Sequence, residues 1–317
     1  MSDGPSDGPD FLNAAEIARS CRTDGVLLRA DSSLATLDAA LRLGFDAPEG
    51  RGLFLWGSHT QIGELRWVYL VSVSTPSDVT LHLEVDLHAT AGVSYVLLDV
   101  WASRLSYISP DTSTSPADSP SGGGGGGGFV VPQSPAAAVP GHSDGGTYQI
   151  LAPVLPRSGW CLLGEANKTV AVSRRRFGAV IETGTGTAAL SPRAAVAEVA
   201  VAASATVGDA AGGGAASGGF HVPIRAASEE RVVVRVLPPK ALAALAADGG
   251  GSARPLHGTG GGDGVIEVVC EAGACTGEDC DVEMLLECGG GSEGEEQPQQ
   301  EEEEQASCAC KPALSDQ

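Results

Sequence analysis

Apolar and polar residues alternate through the middle of the chain, and this alternation predicts β-strands. The segment Leu65 to Val73 (LRWVYLVSV) puts the aromatic residues Trp67 and Tyr69 on one face. Val79 to Leu87 alternates five apolar residues with polar ones. Further strand-like segments are Val93 to Trp101, Tyr148 to Val154, Ala179 to Glu182, Val196 to Ala202, Arg231 to Leu237 and Val265 to Val269. Repeated short strands separated by polar turns predict an all-β fold, an antiparallel β-sandwich.

Helical periodicity is confined to short segments near the two ends. Asp10 to Ser20 and Ser33 to Phe45 each begin at or after a residue suited to capping a helix, and Lys240 to Ala247 is alanine-rich. Between the first two helices, the pair Asp24-Gly25 predicts a tight turn and Val26 to Leu28 a short strand. Residues 10–50 are therefore predicted to form a helical lead-in segment.

Two low-complexity spacers divide the strand-rich region. Residues 109–143 contain seven consecutive glycines, and residues 208–219 are rich in glycine and alanine. Because the strands on both sides have the same character, the spacers are predicted to be disordered insertions in one sandwich domain, residues 51–239.

The ends of the chain are predicted to lie outside this sandwich. The remaining predicted units are a disordered N-terminus (1–9), a short helix with a Gly-rich linker and a possible last strand (240–288), and a disordered acidic tail (289–317).

The net charge of −21 is concentrated near the C-terminus, where residues 263–317 hold 16 acidic residues against Lys311. Nucleic-acid binding requires concentrated basic charge, and the cluster Arg174 to Arg176 is too small to supply it. The tail is a possible contact for a basic protein partner. The start MSDGPSDGPDFL has no secretory pattern, and Ala194 to Val207 falls short of a membrane span. The chain is therefore expected to be soluble and intracellular, with no nucleic-acid or membrane partner.

The cysteines predict neither a metal site nor a cofactor. Cys21 and Cys161 have the character of isolated core residues. The other six are Cys270, Cys275, Cys280, Cys288, Cys308 and Cys310. Their spacing differs from the close pairs of structural zinc sites. Cys308 and Cys310 are closely spaced, and a soft-metal site and a strained disulfide are both possible for this pair.

Carboxylates are the candidates for catalysis, because sugar hydrolysis needs two of them facing each other across a cleft. Glu165 lies on the turn of a predicted hairpin (GWCLLGEANKTVAVS), and Asp99 and Glu182 lie on predicted strands. Glu165 and Asp99 are the least implausible acid and base, although ordinary solvated carboxylates are the simpler interpretation. The chain contains no phosphate-binding loop of the form GxxxxGK[ST].

Tryptophan and histidine supply the candidates for ligand contact. Trp56 and Trp160 are expected at strand edges beside glycines, where an indole ring can stack on a sugar. His59 is expected in a loop near Trp56, with a structural hydrogen bond as the alternative role. His82 and His88 are predicted on one strand, about 20 Å apart, which is too far for shared metal ligation. Trp56, His59 and Trp160 are therefore the predicted carbohydrate-binding residues.

Two stretches together resemble a known family. LFLWGSHTQIGELRWVYLVSV and YQILAPVLPRSGWCLLGEANKTVAVSRRRF resemble the C-terminal β-rich region of plant and algal α-galactosidase-like, or raffinose-synthase-like, glycoside hydrolases. In that family a (β/α) barrel carries the catalytic aspartates and a β-sandwich follows it. A barrel needs about 200 residues or more, and no such region precedes the sandwich here.

The resemblance implies a non-catalytic accessory domain that binds carbohydrate or supports a catalytic barrel. No catalytic aspartate of the family maps onto this sequence. A glycosidase in its own right and an acidic-tailed protein-interaction scaffold are the alternatives.

Overall fold

The computed structural model describes residues 14–41, 54–73, 79–110, 128–131, 146–183, 218–247, 254–255, 264–272, 280–287 and 307–312. The helices are α1 (Ala14–Ser20) and α2 (Pro239–Ala247), and residues 38–41 are also helical. The strands are β1 (Ala35–Thr36), β2 (Phe54–Ile62), β3 (Leu65–Val73), β4 (Val79–His82), β5 (Tyr95–Asp99), β6 (Arg104–Ile108), β7 (Gly128–Val131), β8 (Gly146–Pro153), β9 (Cys161–Glu165), β10 (Ile181–Thr183), β11 (Gly219–Ala226), β12 (Arg231–Leu237), β13 (Arg254–Pro255), β14 (Ile266–Glu271), β15 (Cys280–Glu287) and β16 (Ser307–Pro312).

The fold is all-β and its strand pairs are antiparallel, as the alternation predicted. A seven-stranded sheet has the order β1-β2-β3-β8-β5-β6-β13, and two smaller sheets have the orders β14-β12-β9 and β10-β11-β15-β16. The ribbon β4-β7 forms a fourth, two-stranded unit. One core cluster joins one face of the large sheet to the two smaller sheets, and a second joins the opposite face to the ribbon.

Strand β3 shows why the large sheet lies between two layers. Its bounds are those predicted, and Trp67 and Tyr69 face the first cluster while Val68 and Leu70 face the second. The Trp67 Nε1 group donates a 2.9 Å hydrogen bond to the Leu162 carbonyl on β9, which satisfies the indole inside the core. Both faces of β3 are therefore buried.

Several other predicted elements are confirmed. Strand β12 has the predicted bounds, and β5, β8, β10 and β14 each overlap a predicted strand. Helix α2 extends the prediction by one residue, to Pro239. The predicted strand Val196 to Ala202 lies outside the described residues.

Two predicted strands are wrong in part. Val79 to Leu87 is extended only as far as His82, because the Asp86 carboxylate accepts a hydrogen bond from the His82 amide and turns the chain. His82 and His88 therefore do not share a strand. In the predicted hairpin, β9 is present but Thr169 to Ser173 is not a strand.

The lead-in segment is less regular than predicted. Helix α1 is described from Ala14, and Val26 to Leu28 is not a strand but contributes one bridge, between Leu27 and Cys21. The second helix is reduced to residues 38–41 within the described part, since β1 occupies residues 35–36. Strand β2 was not predicted, and it places His59 in a strand rather than in a loop.

Two segments predicted to be disordered contain strands. Strand β7 lies within the first spacer and pairs with β4, and β16 lies within the acidic tail and pairs with β15.

Cys270 is disulfide-bonded. Within the described residues, no helix is long and apolar enough to span a membrane, and no group of three or more metal-ligating side chains is found.

Candidate functional site

A buried arginine organises the charged groups near the end of β9. Arg176 follows a tight turn in which the Arg176 and Phe177 amides both donate to the Ser173 carbonyl, and its side chain is 0 % exposed. Its five N–H groups are all used. The bonds run to Glu165 Oε2 (2.8 Å) and Oε1 (3.3 Å), to Glu230 Oε2 and Oε1 (2.7 Å each) and to the Arg225 carbonyl (2.8 Å). A guanidinium has no further donor to offer.

The two carboxylates differ in how fully they are bonded. Glu230 also accepts hydrogen bonds from the amides of Thr23 (3.1 Å) and Ala227 (2.8 Å), so each of its oxygens has two donors. Glu165 has the Lys168 ammonium as a further neighbour, at 3.9 Å. We call the four side chains Glu165, Lys168, Arg176 and Glu230 the charge network.

The charge network shifts the pKa values of its two acids in opposite directions. Burial raises the pKa of Glu230, but hydrogen bonds from Arg176 and from the Ala227 amide outweigh it and hold that pKa at about 2. Burial raises the pKa of Glu165 by more than Arg176 and Lys168 lower it. For Arg176, the bonds to Glu230 and Glu165 outweigh burial and raise the pKa.

A cleft of about 300 Å³ opens beside the charge network. Its lining comprises Ala18, Arg19, Thr23, Glu165, Ala166, Asn167, Lys168, Glu230, Arg231 and Val233. On one wall, Lys168 Nζ donates to the carbonyls of Ala18 (2.8 Å) and Cys21 (2.7 Å), which ties the α1 segment to the sandwich. A catalytic pair needs space for a glycosidic bond between its two carboxyl groups. Arg176 bonds to both acids, so this arrangement favours a structural role.

A second feature is an aromatic row across one end of the large sheet. Trp56 on β2 lies directly opposite Val71 on β3, and Val71 lies opposite Tyr148 on β8. The Tyr148 ring is followed by Trp101, with ring centroids 6.5 Å apart. We define the aromatic row as Trp56, Val71, Tyr148 and Trp101. Both tryptophans are half-buried.

Glycine at position 146 allows Trp101 to lie against the sheet. A Cβ atom placed on Gly146 would come within 2.8 Å of Trp101 Cζ3 and of the Ser72 carbonyl oxygen. Beside it, the Tyr148 hydroxyl donates to the Thr169 carbonyl, which fixes that ring. The end of the sheet therefore presents two partly accessible indole rings, and that of Trp101 is held against Gly146 and Tyr148.

The predicted catalytic pair is not brought together. Asp99 ends β5 in the large sheet, where its Oδ1 accepts a 2.9 Å hydrogen bond from the Ala102 amide and closes a turn. Glu165 ends β9 in a different sheet. Glu182 accepts hydrogen bonds from the Arg157 and Ser158 amides, a loop-fixing role.

The predicted ligand contacts are also separated. Trp160 is fully buried, donates a 2.9 Å bond to the Gly218 carbonyl and meets Phe220 edge-on, so neither of its faces is open to a ligand. His59 and Trp56 are three residues apart on β2 and point to opposite faces. His59 Nδ1 lies 3.0 Å from Ser32 Oγ, and burial and the nearby Arg66 charge lower its pKa. Trp160 is therefore excluded from ligand contact, whereas Trp56 and His59, which are both partly exposed, stay candidates.

Sequence reasoning missed Trp101, Arg176 and Glu230 as site residues. For Glu230 a signal exists: it continues the alternation of Val232, Val234 and Val236 toward the core. Arg176 gave no such signal, because it ends a run of three arginines typical of a surface.

Comparisons with protein-family models, with curated proteins and with solved structures find no match to this chain.

Proposed function

We propose that this chain is a non-catalytic β-sandwich domain that binds carbohydrate, of the kind that accompanies the catalytic barrel of a glycoside hydrolase. The observation that supports this proposal is the aromatic row. Two half-buried indole rings lie on one face of the sheet, separated by the Val71 and Tyr148 positions. Indole rings stack on the apolar faces of sugars and offer an N–H group to a hydroxyl.

The spacing of the row favours binding over a purely structural role. Neighbouring strands are about 4.8 Å apart, so the backbones at Trp56 and Tyr148 are separated by about 10 Å. Trp101 extends the row beyond Tyr148. A row of this length suits an oligosaccharide better than a single sugar, and the Trp101 ring, already held against Tyr148, loses little conformational entropy on binding.

The test is a glycan array followed by calorimetry with the galactosides or glucans that bind. We expect Trp56→Ala and Trp101→Ala each to weaken binding about tenfold, equivalent to about 1.4 kcal/mol. Trp160→Phe is the matched control, because it changes a buried indole away from the row. It should lower stability and leave the affinity unchanged. An intact protein that binds no galactoside or glucan, or an affinity that depends on neither Trp56 nor Trp101, would count against the proposal.

A glycosidase is the second candidate, and the opposite pKa shifts of Glu165 and Glu230 favour it. Pairs of carboxyl groups with separated pKa values supply acid and base in such enzymes. Release of nitrophenol from nitrophenyl glycosides tests this candidate. Activity lost in Glu165→Gln and in Glu230→Gln and retained in Asp99→Asn would support it. Activity that survives Glu165→Gln or Glu230→Gln would remove that residue from consideration.

A further inference from the structure

The run Ser173 to Phe177 (SRRRF) divides into one buried and two exposed arginines. Arg176 is in the charge network, whereas Arg174 and Arg175 are exposed on the same turn. A third exposed arginine, Arg225, joins them from β11 because its Nη1 donates a 2.8 Å hydrogen bond to the Arg174 carbonyl. We call Arg174, Arg175 and Arg225 the arginine cluster.

The backbone that carries the arginine cluster is held in place from several sides. The Arg225 amide donates to the Arg176 carbonyl at 2.7 Å, and the Arg176 side chain returns a bond to the Arg225 carbonyl at 2.8 Å. Phe177 and Ile224 form a bridge beside them. Ser173 Oγ accepts a bond from the Arg175 amide. The turn is therefore fixed before any ligand arrives.

The side chains of the cluster keep donors for an anion. Arg174 uses its Nε group on the Gln61 carbonyl (2.8 Å) and near Asp31 (3.4 Å), and its side chain is 63 % exposed. Among the side chains that the structure describes, Arg175 and Arg225 form no ion pair. Asp281 on β15 is the cross-strand partner of Arg225. Three guanidinium groups beside one turn therefore concentrate positive charge locally on a chain whose net charge is −21. Guanidinium groups bind carboxylate and sulfate oxygens through paired N–H bonds.

We propose that the arginine cluster binds the carboxylate or sulfate groups of an acidic polysaccharide. This inference rests on the proposed carbohydrate-binding function and names the ligand class. Gln61, which contacts Arg174, lies five residues from Trp56 on β2, about 17 Å along the strand at 3.4 Å per residue. A polymer spans that distance, so the aromatic row and the arginine cluster bind different sugar residues of one chain.

The test compares polygalacturonate, dextran sulfate, neutral dextran and polyglutamate as probes of the full chain. The main variant is the triple substitution Arg174→Gln, Arg175→Gln and Arg225→Gln. The control removes the same charge from three other exposed basic residues, through Arg104→Gln, Arg157→Gln and Lys240→Gln. A third variant replaces the cluster with lysine, which keeps the charge if glutamine impairs folding.

We expect at least one of the two acidic polysaccharides to bind. The glutamine cluster variant should weaken this binding about tenfold, and the control should leave it unchanged, since exposed charges interact over about a Debye length. The lysine variant should retain most of the affinity. Binding should also weaken between about 0.1 M and 1 M salt, where the Debye length falls from about 10 to 3 Å.

Three results would overturn the inference. They are no polyanion binding at low salt, an equal loss in the control variant, and polyglutamate binding as tight as that of either polysaccharide. Failure of the proposed function is distinguishable, because it is measured by Trp56 substitution with neutral glycans. If neutral glycans fail to bind but the cluster still discriminates acidic polysaccharides, the aromatic-row proposal fails alone.

Discussion

Arg176 and Glu230 bind each other through two parallel hydrogen bonds of 2.7 Å, one from each terminal guanidinium nitrogen to a separate carboxylate oxygen. Their side chains are 0 % and 2 % exposed. The pair joins the turn after Ser173 to the residue that precedes β12, and Glu230 extends the connection to the Thr23 amide. Three segments distant in sequence therefore meet at one buried pair of opposite charges.

Removing the arginine should destabilise the fold strongly. Arg176→Met leaves Glu165 and Glu230 buried without their main donor, and breaking a buried pair in this way costs about 3–5 kcal/mol. The free energy of unfolding in urea measures the loss. The control is Arg235→Met, whose partner Glu267 is 48 % exposed. It should cost less than about 1 kcal/mol. Equal losses would show that the charge network contributes no more than a surface pair.

The charge network should also make stability depend on pH below about 4.5. Glu230 has a pKa of about 2 when folded against a usual value of 4.5. Its contribution is therefore complete above pH 4.5 and is lost as the pH falls to about 2. A shift of this size corresponds to about 3 kcal/mol. Unfolding measured at a series of pH values should show this loss in the wild type and not in Glu230→Gln.

Glu165 should oppose that trend, because its folded pKa is raised. A group that binds its proton more tightly in the folded state adds stability as the pH falls through the folded pKa. This gain falls between the raised folded pKa and the usual value of 4.5, above the range in which Glu230 acts. Glu165→Gln should therefore remove a gain in stability above about pH 4.5 and leave the loss below that pH unchanged. A variant profile identical to that of the wild type above pH 4.5 would contradict the assigned direction of the shift.

The strands were predictable where alternation coincides with burial. Strand β3 has its predicted bounds because its apolar residues face two cores. Strand β2 was missed because it contains Gly57, Ser58 and His59, which favour turns over strands. The structure explains the glycine: a Cβ atom on Gly57 would lie 2.7 Å from Leu37 Cδ2.

The failed hairpin has a different cause. Apolar and polar residues alternate in Thr169 to Ser173 as they do in a strand, but tyrosine hydroxyls of the large sheet form hydrogen bonds with its backbone groups. Tyr69 bonds to the amide and carbonyl of Val172, and Tyr148 to the Thr169 carbonyl. Such long-range side-chain bonds replace a strand ladder and leave no local pattern in the sequence. The pairing of Arg176 with Glu230 could not be predicted either, because the two residues are 54 positions apart in the sequence.

Gly164 should be among the positions of the fold that are most sensitive to substitution. Its φ is +102°, and a Cβ atom would lie 2.5 Å from the Ala171 carbonyl oxygen. Gly164→Ala should therefore lower the free energy of unfolding by about 2–4 kcal/mol, because it strains the backbone and displaces the segment Thr169 to Ser173. Thermal unfolding measures this loss. Gly63→Ala is the control, because φ there is +61° but no atom lies within 4 Å. Its cost should stay near 1 kcal/mol. Similar losses at both sites would show that steric contact at Gly164 is relieved cheaply.

Lys168 should control how firmly the α1 segment is attached. Its ammonium holds the carbonyls of Ala18 and Cys21, and Lys168→Met removes both bonds. Hydrogen bonds from a charged group contribute about 1.5–3 kcal/mol each. The segment should therefore open at least about tenfold more often, since a factor of ten corresponds to about 1.4 kcal/mol.

The free thiol of Cys21 reports this opening directly. Cys21 is half-buried on the attached segment, whereas Cys161 is fully buried in the core, where burial raises its thiol pKa. A thiol reagent should label Cys21 faster in Lys168→Met and leave Cys161 unlabelled, because only the thiolate reacts and global unfolding is not involved. Lys240→Met removes the same charge from an exposed position on α2 and should not change either rate. If both cysteines become reactive together, Lys168 stabilises the whole domain; if neither rate changes, other contacts attach the segment.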